Sequence, residues 1–366
     1  MFGINNLIIS VVGARPNFMK VSPIIESLNM LKMKNIMVHT GQHYDEKLSG
    51  SFFKKLELKD PEIFLGIGSG SHGEQTSKII LEFEKVCIKH KPSLIILVGD
   101  VNSTLACAIS AVKLHIPIAH VESGLRSFDM KMPEEINRIL VDRISDYLFV
   151  TEKSGIQNLK KEGVSKDKIY FVGNCMIDSL IKILPYAVDK KPWETYGLEK
   201  RNYILVTFHR PSNVDNSNNL NKVVKLINDL SKMYDIIFPM HPRTYNSVKN
   251  LNIKFSDKVK IVDPLPYDTF LGLMSESKLV ITDSGGIQEE TTYLGIKCLT
   301  IRDNTERPVT VDKGTNRLVN LHDPKLFEKV DDLIKSDYSV NAEIPELWDG
   351  KAGSRIAKIL YEKFPQ

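Results

Sequence analysis

Charged side chains and a glycine turn follow apolar segments that are typical of buried β-strands. Carboxylates and imidazole can take and return protons, and cations or backbone N–H groups at a helix start can hold an anion. Ligands of open α/β sheets bind beyond the carboxyl ends of the strands, so we expect these groups to converge on one cleft. In chain order they are Arg15, Lys20, Asp100, Glu122, His209, Ser284, Gly285 and Gly286. The set predicts acid–base chemistry on an anionic small molecule.

The segment from Ser284 to Glu290 gives the most specific of these signals. An apolar strand pattern ends at Asp283, two glycines follow, and a helical pattern begins. Glycines let backbone N–H groups approach a phosphate, and a helix N-terminus favours its charge. Glu290, one helical turn further on, can accept hydrogen bonds from ribose hydroxyls. The combination favours a nucleoside diphosphate, although neither G-x-G-x-x-G nor a Walker A sequence occurs.

Several of these residues also have a purely structural interpretation. Arg15 and Lys20 could belong to a solvated helix start, although cations there oppose the helix dipole. Asp100 could cap the helix that begins near Thr104, and His209 could be a strand-end histidine. For Asp100 and His209 the sequence does not decide between structure and chemistry.

The acidic residues Glu122, Glu134 and Glu135 differ in what their positions indicate. Glu122 follows an apolar strand directly, and burying an unpaired carboxylate there would be costly, which favours a functional role. Glu134 and Glu135 follow Pro133, where acidic residues of a first helical turn are ordinary stabilisers. The sequence alone favours the structural interpretation for both.

Short apolar segments alternate with helical patterns along the chain, which predicts parallel sheets covered on both faces. The expected strands are Leu7–Gly13, Ile36–Thr40, Leu94–Gly99, Ile118–Val121, Tyr147–Val150, Ile169–Val172, Tyr203–Phe208, Ile236–Met240, Val259–Val262 and Leu279–Asp283. The expected helices include Lys20–Leu31, Glu74–Lys89, Thr104–Leu114, Glu134–Ile144, Ser154–Glu162, Leu220–Met233, Gly286–Leu294 and Gly353–Phe364.

The alternation pauses at a polar stretch near residues 188–193, so we expect a linker within 180–200. The pattern predicts two Rossmann-like, doubly wound α/β domains facing a deep cleft. The first would cover residues 1–180 and carry the catalytic carboxylates. The second would cover 195–352 and bind the nucleotide, and helix 353–366 would join the first domain.

Composition narrows the classes of function. The chain has 366 residues, 42% hydrophobic and 26% charged, which is typical of a globular protein of two domains. A net charge of +4 without a dense basic segment argues against nucleic-acid binding. Four dispersed cysteines form no C-x-x-C motif, and no apolar stretch approaches the length of a membrane span. With no recognisable signal peptide either, we expect a cytoplasmic protein.

An ordered set of motifs resembles the non-hydrolysing UDP-N-acetylglucosamine 2-epimerase family over nearly the whole chain. The motifs are Gly13-Ala14-Arg15-Pro16, His39-Thr40-Gly41-Gln42-His43, Gly99-Asp100, His120-Val121-Glu122-Ser123-Gly124-Leu125-Arg126, Pro133-Glu134-Glu135-Ile136-Asn137-Arg138, His209-Arg210, the segment 282–290 and the segment 302–308. The resemblance implies a glycosyltransferase-B fold, an isomerase without metal or cofactor, a UDP-sugar substrate and a homodimer.

The resemblance also implies roles for single residues. The implied catalytic residues are Asp100, Glu122, Glu134 and His209. Those implied to hold the UDP portion are Arg15, Lys20, Ser284, Gly285, Gly286, Glu290 and Arg307, with the backbone of Leu265 and the ring of Phe270 flanking the uracil. The family eliminates UDP to 2-acetamidoglucal and adds it back with inversion at C2.

A regulatory site for a second UDP-sugar is implied at Gln42, His43 and His241. Two neighbouring positions depart from the bacterial pattern, with Asp45 in place of a glutamine and Glu74 in place of an arginine. Carboxylates near a diphosphate repel it. We therefore expect weak or absent activation by a second substrate molecule.

Four alternatives remain. A glycosyltransferase of the same fold would leave the carboxylates Asp100, Glu122 and Glu134 without a purpose. Hydrolysing epimerases carry Arg-Ala-Asp-Tyr where this chain has Arg-Pro-Asn-Phe at 15–18. A 2-epimerase of a UDP-linked 2,3-diacetamido-uronic acid is the strongest competitor, because the segments 39–45 and 68–76 resemble both groups. A non-enzymatic UDP-sugar sensor would not need the acid–base residues.

Overall fold

The computed structural model describes residues 6–41, 58–336 and 342–364, and of Arg15 only the backbone. The described chain divides into two compact units. The first comprises residues 1–182 and 346–366, and the second comprises residues 183–345. Each unit has one parallel sheet with helices packed against it, which confirms the predicted α/β fold class.

The first unit contains a seven-stranded sheet in the order β3-β2-β1-β4-β5-β6-β7. Its strands are β1 (Ile8–Val12), β2 (Asn35–His39), β3 (Ile63–Phe64), β4 (Leu94–Val98), β5 (Ile118–Ser123), β6 (Tyr147–Val150) and β7 (Ile169–Phe171). Its helices are α1 (Arg15–Met30), α2 (His72–His90), α3 (Asn102–Lys113), α4 (Pro133–Ile144), α5 (Lys153–Lys161) and the first half of α6 (Cys175–Asp189).

The second unit contains a six-stranded sheet in the order β10-β9-β8-β11-β12-β13. Its strands are β8 (Tyr203–Thr207), β9 (Asp235–Pro239), β10 (Val259–Val262), β11 (Leu279–Thr282), β12 (Cys298–Ile301) and β13 (Asn316–Val319). Its helices after α6 are α7 (Pro192–Thr195), α8 (Pro211–Val214), α9 (Ser217–Leu230), α10 (Pro242–Asn250), α11 (Tyr267–Ser275), α12 (Gly285–Leu294), α13 (Val309–Asp312) and α14 (Leu326–Lys335). The last helix of the chain, α15 (Ala352–Lys363), belongs to the first unit.

Central strands of both sheets are buried on both faces, which explains their continuous apolar sequences. All five residues of β1 and of β4 are buried, and β11 and β12 are likewise buried throughout. The strand order reverses between β1 and β4 in the first sheet and between β8 and β11 in the second. Such switch points open a crevice at the carboxyl ends of the strands, where ligands of this fold class bind.

The polar stretch expected to be a linker is largely helical. Helix α6 continues through Asp189, and the boundary between the units falls inside it, after Lys182. Helix α15 packs on α1, and an added Cβ at Gly353 would lie 2.5 Å from backbone atoms of Pro23. Trp348, which precedes α15, is buried and donates from Nε1 to the carbonyl of Thr151 at 3.0 Å. The chain end is therefore built into the first unit.

Among the residues that the structure describes, no helix is both long and apolar enough to cross a membrane.

Candidate functional site

The loop after β1 is fixed by a single asparagine. The Asn17 side chain accepts from the backbone N–H groups of Gly13, at 3.0 Å, and Ala14, at 2.9 Å, and donates to the carbonyl of Val98 at 3.1 Å. These bonds join the carboxyl ends of β1 and β4 at the switch point of the first sheet. They also set the start of α1, which carries Lys20 one turn later.

Glu122 lies at a β-bulge near the end of β5. The register with β6 shifts between Val121 and Ser123, and Glu122 has φ of +73°. A bulge turns a side chain away from the regular alternation of a strand. The Glu122 carboxylate pairs with the Lys20 ammonium, and both residues are buried. Backbone strain of this kind in a non-glycine residue is typical of functional sites.

Gly99 leaves room for this pair. Its φ is +69°, and an added Cβ would lie 3.0 Å from Nζ of Lys20 and 3.4 Å from Oε2 of Glu122. At the carboxyl ends of β1, β4 and β5, the Lys20 ammonium and the Glu122 carboxylate therefore lie against the backbone of Gly99. Asp100 follows directly.

Asp100 is held by an ion-pair relay. Its carboxylate accepts from Nη2 of Arg138 at 2.5 Å, and Nη1 of Arg138 donates to Glu135 at 2.8 Å. Glu135 is buried and also accepts from the backbone N–H groups of Ser127 and Phe128. The alternative that Asp100 caps α3 is wrong, because Val101 is the N-cap residue and no side chain caps that helix.

Glu135 lies in the first turn of α4 and has a structural role, as the sequence favours. Its carboxylate is buried in a hydrogen-bond network rather than solvated. Glu134 does lie in the first turn of α4, half-buried, beside the relay that holds Asp100.

The buried His120 side chain contacts the backbone of the loop that carries Gly99 and Asp100. Nε2 of His120 lies 2.9 Å from the carbonyl of Gly99, and Nδ1 lies 2.7 Å from Oδ1 of Asp142. Asp142 also pairs with Arg126, which in turn contacts Glu162 at 2.8 Å. Burial would raise the pKa of the Asp142 carboxyl, but His120 and Arg126 hold it below its usual value. Arg126 and Arg138 thus both form ion pairs with carboxylates of the first unit.

In the second unit, Asp283 holds His209 after β8. The Asp283 carboxylate is fully buried and accepts from the backbone N–H groups of His209, at 3.1 Å, and Arg210, at 2.9 Å, and from the Asn213 amide at 3.1 Å. Nδ1 of His209 lies 3.1 Å from the same carboxylate. Burial would raise the pKa of Asp283, but hydrogen bonding and attraction from His209 keep it low. The imidazole is therefore oriented by an ionised partner.

The glycine turn lies at the start of α12, as the sequence predicts. Ser284 is the N-cap residue, and Gly285 and Gly286 form the first turn, all three half-buried. An added Cβ at Gly285 would lie 2.7 Å from Nη1 of Arg307 and 2.7 Å from Oε1 of Glu306. The turn is therefore in direct contact with charged side chains.

Three guanidinium groups lie around that turn. Arg307 pairs with Glu306 and, at 2.9 Å, with Glu289, and Arg302 contacts Glu306 at 2.8 Å. The guanidinium of Arg210 lies 3.9 Å from Glu306. Burial lowers the pKa of Arg302. The helix N-terminus and these guanidinium groups are both suited to an anion.

The remaining predicted contacts lie on the same unit. Glu290 is buried on α12 and accepts from the hydroxyl of Tyr267 at 2.7 Å. Phe270 is half-buried on α11. Leu265 lines a cavity of about 600 Å³ together with Pro264, Met240 and other side chains. Ser284, Glu290, Arg307 and His209 are thus all carried by the strand ends and helices of one sheet.

The predicted regulatory residues are only partly described. Gln42 and His43, like Asp45, lie outside the described residues. His241 is exposed and caps α10 by accepting from the backbone N–H of Arg243 at 3.1 Å, and its ring lies 5.6 Å from that of His209. Glu74 lies exposed in the first turn of α2 and pairs with Lys78 at 2.6 Å.

Residues 27–361 match the family model described as UDP-N-acetylglucosamine 2-epimerase. The chain belongs to this family. A UDP-N-acetylglucosamine 2-epimerase of Methanococcus maripaludis is 42% identical over 97% of this chain and 98% of its own length. The crystal structure of the UDP-GlcNAc 2-epimerase of Methanocaldococcus jannaschii in complex with UDP-GlcNAc and UDP matches with a TM-score of 0.91 at 42% identity, over 97% of this chain and 99% of that one.

The same family includes a second type of named relative. The UDP-2,3-diacetamido-2,3-dideoxy-D-glucuronate 2-epimerase of Pseudomonas aeruginosa is 38% identical over 96% of this chain and 99% of its own length. The chain is thus an isomerase family member, as predicted, with relatives of both substrate types.

Sequence reasoning missed the residues that hold the predicted groups in place. These are Arg138 for Asp100, His120 for the Gly99 carbonyl, and Asp283 for His209. Asp283 ends an apolar strand and directly precedes the glycine turn, which was a usable signal for a buried acceptor. Arg138 and His120 had no local signal, because their partners lie 38 and 21 positions away.

Proposed function

We propose that this chain interconverts UDP-N-acetylglucosamine and UDP-N-acetylmannosamine. The observation that carries the proposal is the arrangement in the first unit, where Glu122 on a bulge pairs with Lys20 against Gly99, and Asp100 follows under tight restraint. Membership of the family supplies the reaction class.

The reaction needs more than deprotonation, because no carbonyl group acidifies the C2 proton of the sugar. Breaking the C1–O bond to UDP while C2 loses its proton gives 2-acetamidoglucal and UDP. Adding UDP back, with protonation at the opposite face, inverts C2. The atoms balance without an external oxidant or reductant, since the proton removed is replaced by one from an acid group.

The first unit would carry out the proton transfers. Inversion requires an acid–base group for each face of C2, so more than one carboxylate is needed. Asp100, Glu122 and Glu134 are the proposed groups, and carboxylates nearby also stabilise positive charge that develops at C1. The Lys20 contact orients the Glu122 carboxylate. His209, held by Asp283, is proposed to act beside them.

The second unit would stabilise the leaving group. As the C1–O bond breaks, negative charge develops on the diphosphate, and preorganised donors aimed at that charge lower the barrier. The backbone at Ser284, Gly285 and Gly286 and the guanidinium groups around Arg307 suit this role. We further assign Glu290 to the ribose hydroxyls, Leu265 and Phe270 to the uracil, and Arg15 with Lys20 to the diphosphate.

A second candidate substrate is the UDP-linked 2,3-diacetamido-uronic acid, favoured by the 38% identical relative that is named for it. Incubating the purified protein with each sugar nucleotide and following the anomeric proton signals by NMR separates the two. The proposal expects conversion of UDP-N-acetylglucosamine to a gluco–manno mixture. Conversion of the uronic acid derivative alone would assign the second substrate, and release of free N-acetylmannosamine would indicate a hydrolase.

We also propose that activation by a second UDP-sugar is weak in this enzyme. The resemblance implies that Glu74 stands where bacterial relatives carry an arginine, and Arg126 and Arg138 are already paired with carboxylates. Pure UDP-N-acetylmannosamine should therefore react at once. A reaction that starts only after a trace of UDP-N-acetylglucosamine is added would contradict this.

A cytoplasmic location and a homodimer complete the proposal. The four cysteines are buried and unbridged, which fits a reducing compartment. Leu81 and Ile88 on α2 are each 58% exposed, an apolar surface suited to a second copy of the chain. Light scattering after size exclusion would give twice the 41.5 kDa chain mass if this is right.

A further inference from the structure

The first unit contains a cavity that the proposed reaction does not use. Its volume is about 880 Å³, and α1, α6 and α15 together with Gly350 form its walls. None of the residues assigned to the UDP-sugar lines it.

A buried carboxylate forms part of the lining. Asp178 is 8% exposed, and its Oδ2 accepts from the backbone N–H of Gly353 at 2.8 Å. Within the described part of the chain, its Oδ1 has no hydrogen-bond partner. Burial raises the pKa of this carboxyl to about 6, although hydrogen bonds from the backbone N–H groups of Gly353 and Ala352 act in the opposite direction. A buried acceptor without a donor is costly, and a charged one more so. This side chain therefore suits a ligand that donates.

Two hydroxyl groups of the lining are also acceptors. Oγ of Ser27 donates to the carbonyl of Pro23 at 2.8 Å, and Oγ of Ser179 donates to the carbonyl of Met19 at 2.6 Å. Both hydrogen atoms are used in these bonds, so lone pairs remain for a ligand. Together with Asp178 they present oxygen acceptors to the cavity.

The charges around the cavity favour a single positive charge. Lys182 pairs with Glu26 at 3.0 Å, and Lys358 and Glu362 are of opposite sign. The two positive and two negative charges of these four side chains cancel, which leaves the negative charge of Asp178. Among the described residues, no three His, Cys, Asp or Glu side chains are grouped to hold a metal ion. An ammonium group therefore fits better than a divalent cation, which needs several oxygen ligands.

The rest of the lining is apolar. Pro23, Met30, Leu31 and Ile181 supply hydrocarbon surface that an alkyl chain can cover. We propose that this cavity binds a small primary alkylammonium compound, with the ammonium group donating to Asp178 and the alkyl part lying against Ile181 and its apolar neighbours.

The test uses the full-length protein and butylammonium chloride as the probe, at pH 7.5, with binding followed by two-dimensional NMR. 1-Butanol and sodium butyrate are the ligand controls. We expect saturable shifts with butylammonium and at least tenfold weaker binding of both controls. Equal binding of butanol would mean that the cavity is only an apolar pocket, and tighter binding of butyrate would reverse the assigned charge. Either result overturns the proposal, as does the absence of any shift.

Two variants locate the site. Asp178→Asn keeps an acceptor for Gly353 but removes the charge, and should weaken butylammonium binding at least tenfold. Asp167→Asn, which alters an exposed carboxylate of the same unit, is the matched control and should bind as wild type. Ser354→Trp fills the cavity from the exposed side of α15 without changing Asp178, and should abolish binding while epimerase activity is retained. Unchanged binding in both Asp178→Asn and Ser354→Trp would overturn the proposal.

Discussion

Replacing Asp283 by asparagine tests how the second unit orients His209. The carboxylate is fully buried and offers one oxygen to the backbone and Nδ1 of His209, and the other to the N–H of Arg210 and the amide of Asn213. An asparagine amide has only one acceptor oxygen. In either orientation its NH₂ group faces a donor that has lost its acceptor.

The size of the effect follows from those contacts. Each buried donor left without an acceptor costs about 1–3 kcal/mol, and hydrogen bonds to a charged group are worth about 1.5–3 kcal/mol. With one or two donors affected, we expect a loss of about 2–5 kcal/mol in the free energy of unfolding. Since the imidazole loses its ionised partner, turnover should fall at least tenfold, with a smaller change in KM.

Urea unfolding and steady-state kinetics measure the two effects on the same preparation. Asp257→Asn, an exposed site on the same unit, is the matched control and should change neither. Wild-type turnover in a folded Asp283→Asn variant would refute the argument that this carboxylate positions His209.

Three further predictions concern the first unit. Asp100→Asn, Glu122→Gln and Glu134→Gln should each lower kcat by on the order of two to four decades. The affinity for UDP, measured by calorimetry, should change little. Wild-type turnover in any of these variants would exclude the replaced residue from the mechanism. Gly99→Ala introduces a Cβ 3.0 Å from the Lys20 ammonium at a φ of +69°, so kcat should fall by more than tenfold, and normal kinetics would show that the pair adjusts freely. The pKa of the Asp178 carboxyl is raised from 3.8 to about 6, so its protonated form stabilises the fold below pH 4 and that contribution is lost as the pH rises through 6. Relative to wild type, Asp178→Asn should gain up to about 3 kcal/mol in urea unfolding between pH 4 and pH 8, and a pH-independent difference would contradict this.

Strand positions were predictable because buried parallel strands have continuous apolar sequences. The expected Val259–Val262 and Tyr147–Val150 coincide with β10 and β6. Strands β3, β12 and β13 were missed, since Ile63–Phe64 has only two residues, and Cys298–Ile301 and Asn316–Val319 are short and include polar residues. The glycine turn at α12 was predictable because its signal is local.

Side-chain partners were not predictable in the same way, because they depend on sheet register and helix packing. The bulge at Glu122 follows from how β5 pairs with β6, and no local pattern marks it. Arg138 meets Asp100 only because α4 follows β5 and returns along the end of β4. Likewise, Asp178 meets the start of α15 across 175 positions of sequence.

The C2 position of the sugar tests the central claim most directly. The protein is incubated with UDP-N-acetylglucosamine in deuterated water, and the C2 proton of substrate and product is followed by NMR. Elimination and re-addition predict a UDP-N-acetylmannosamine product that carries deuterium at C2, with equal incorporation into recovered substrate near equilibrium. A manno product that retains the original C2 proton, or no conversion of this sugar nucleotide at all, would contradict the account.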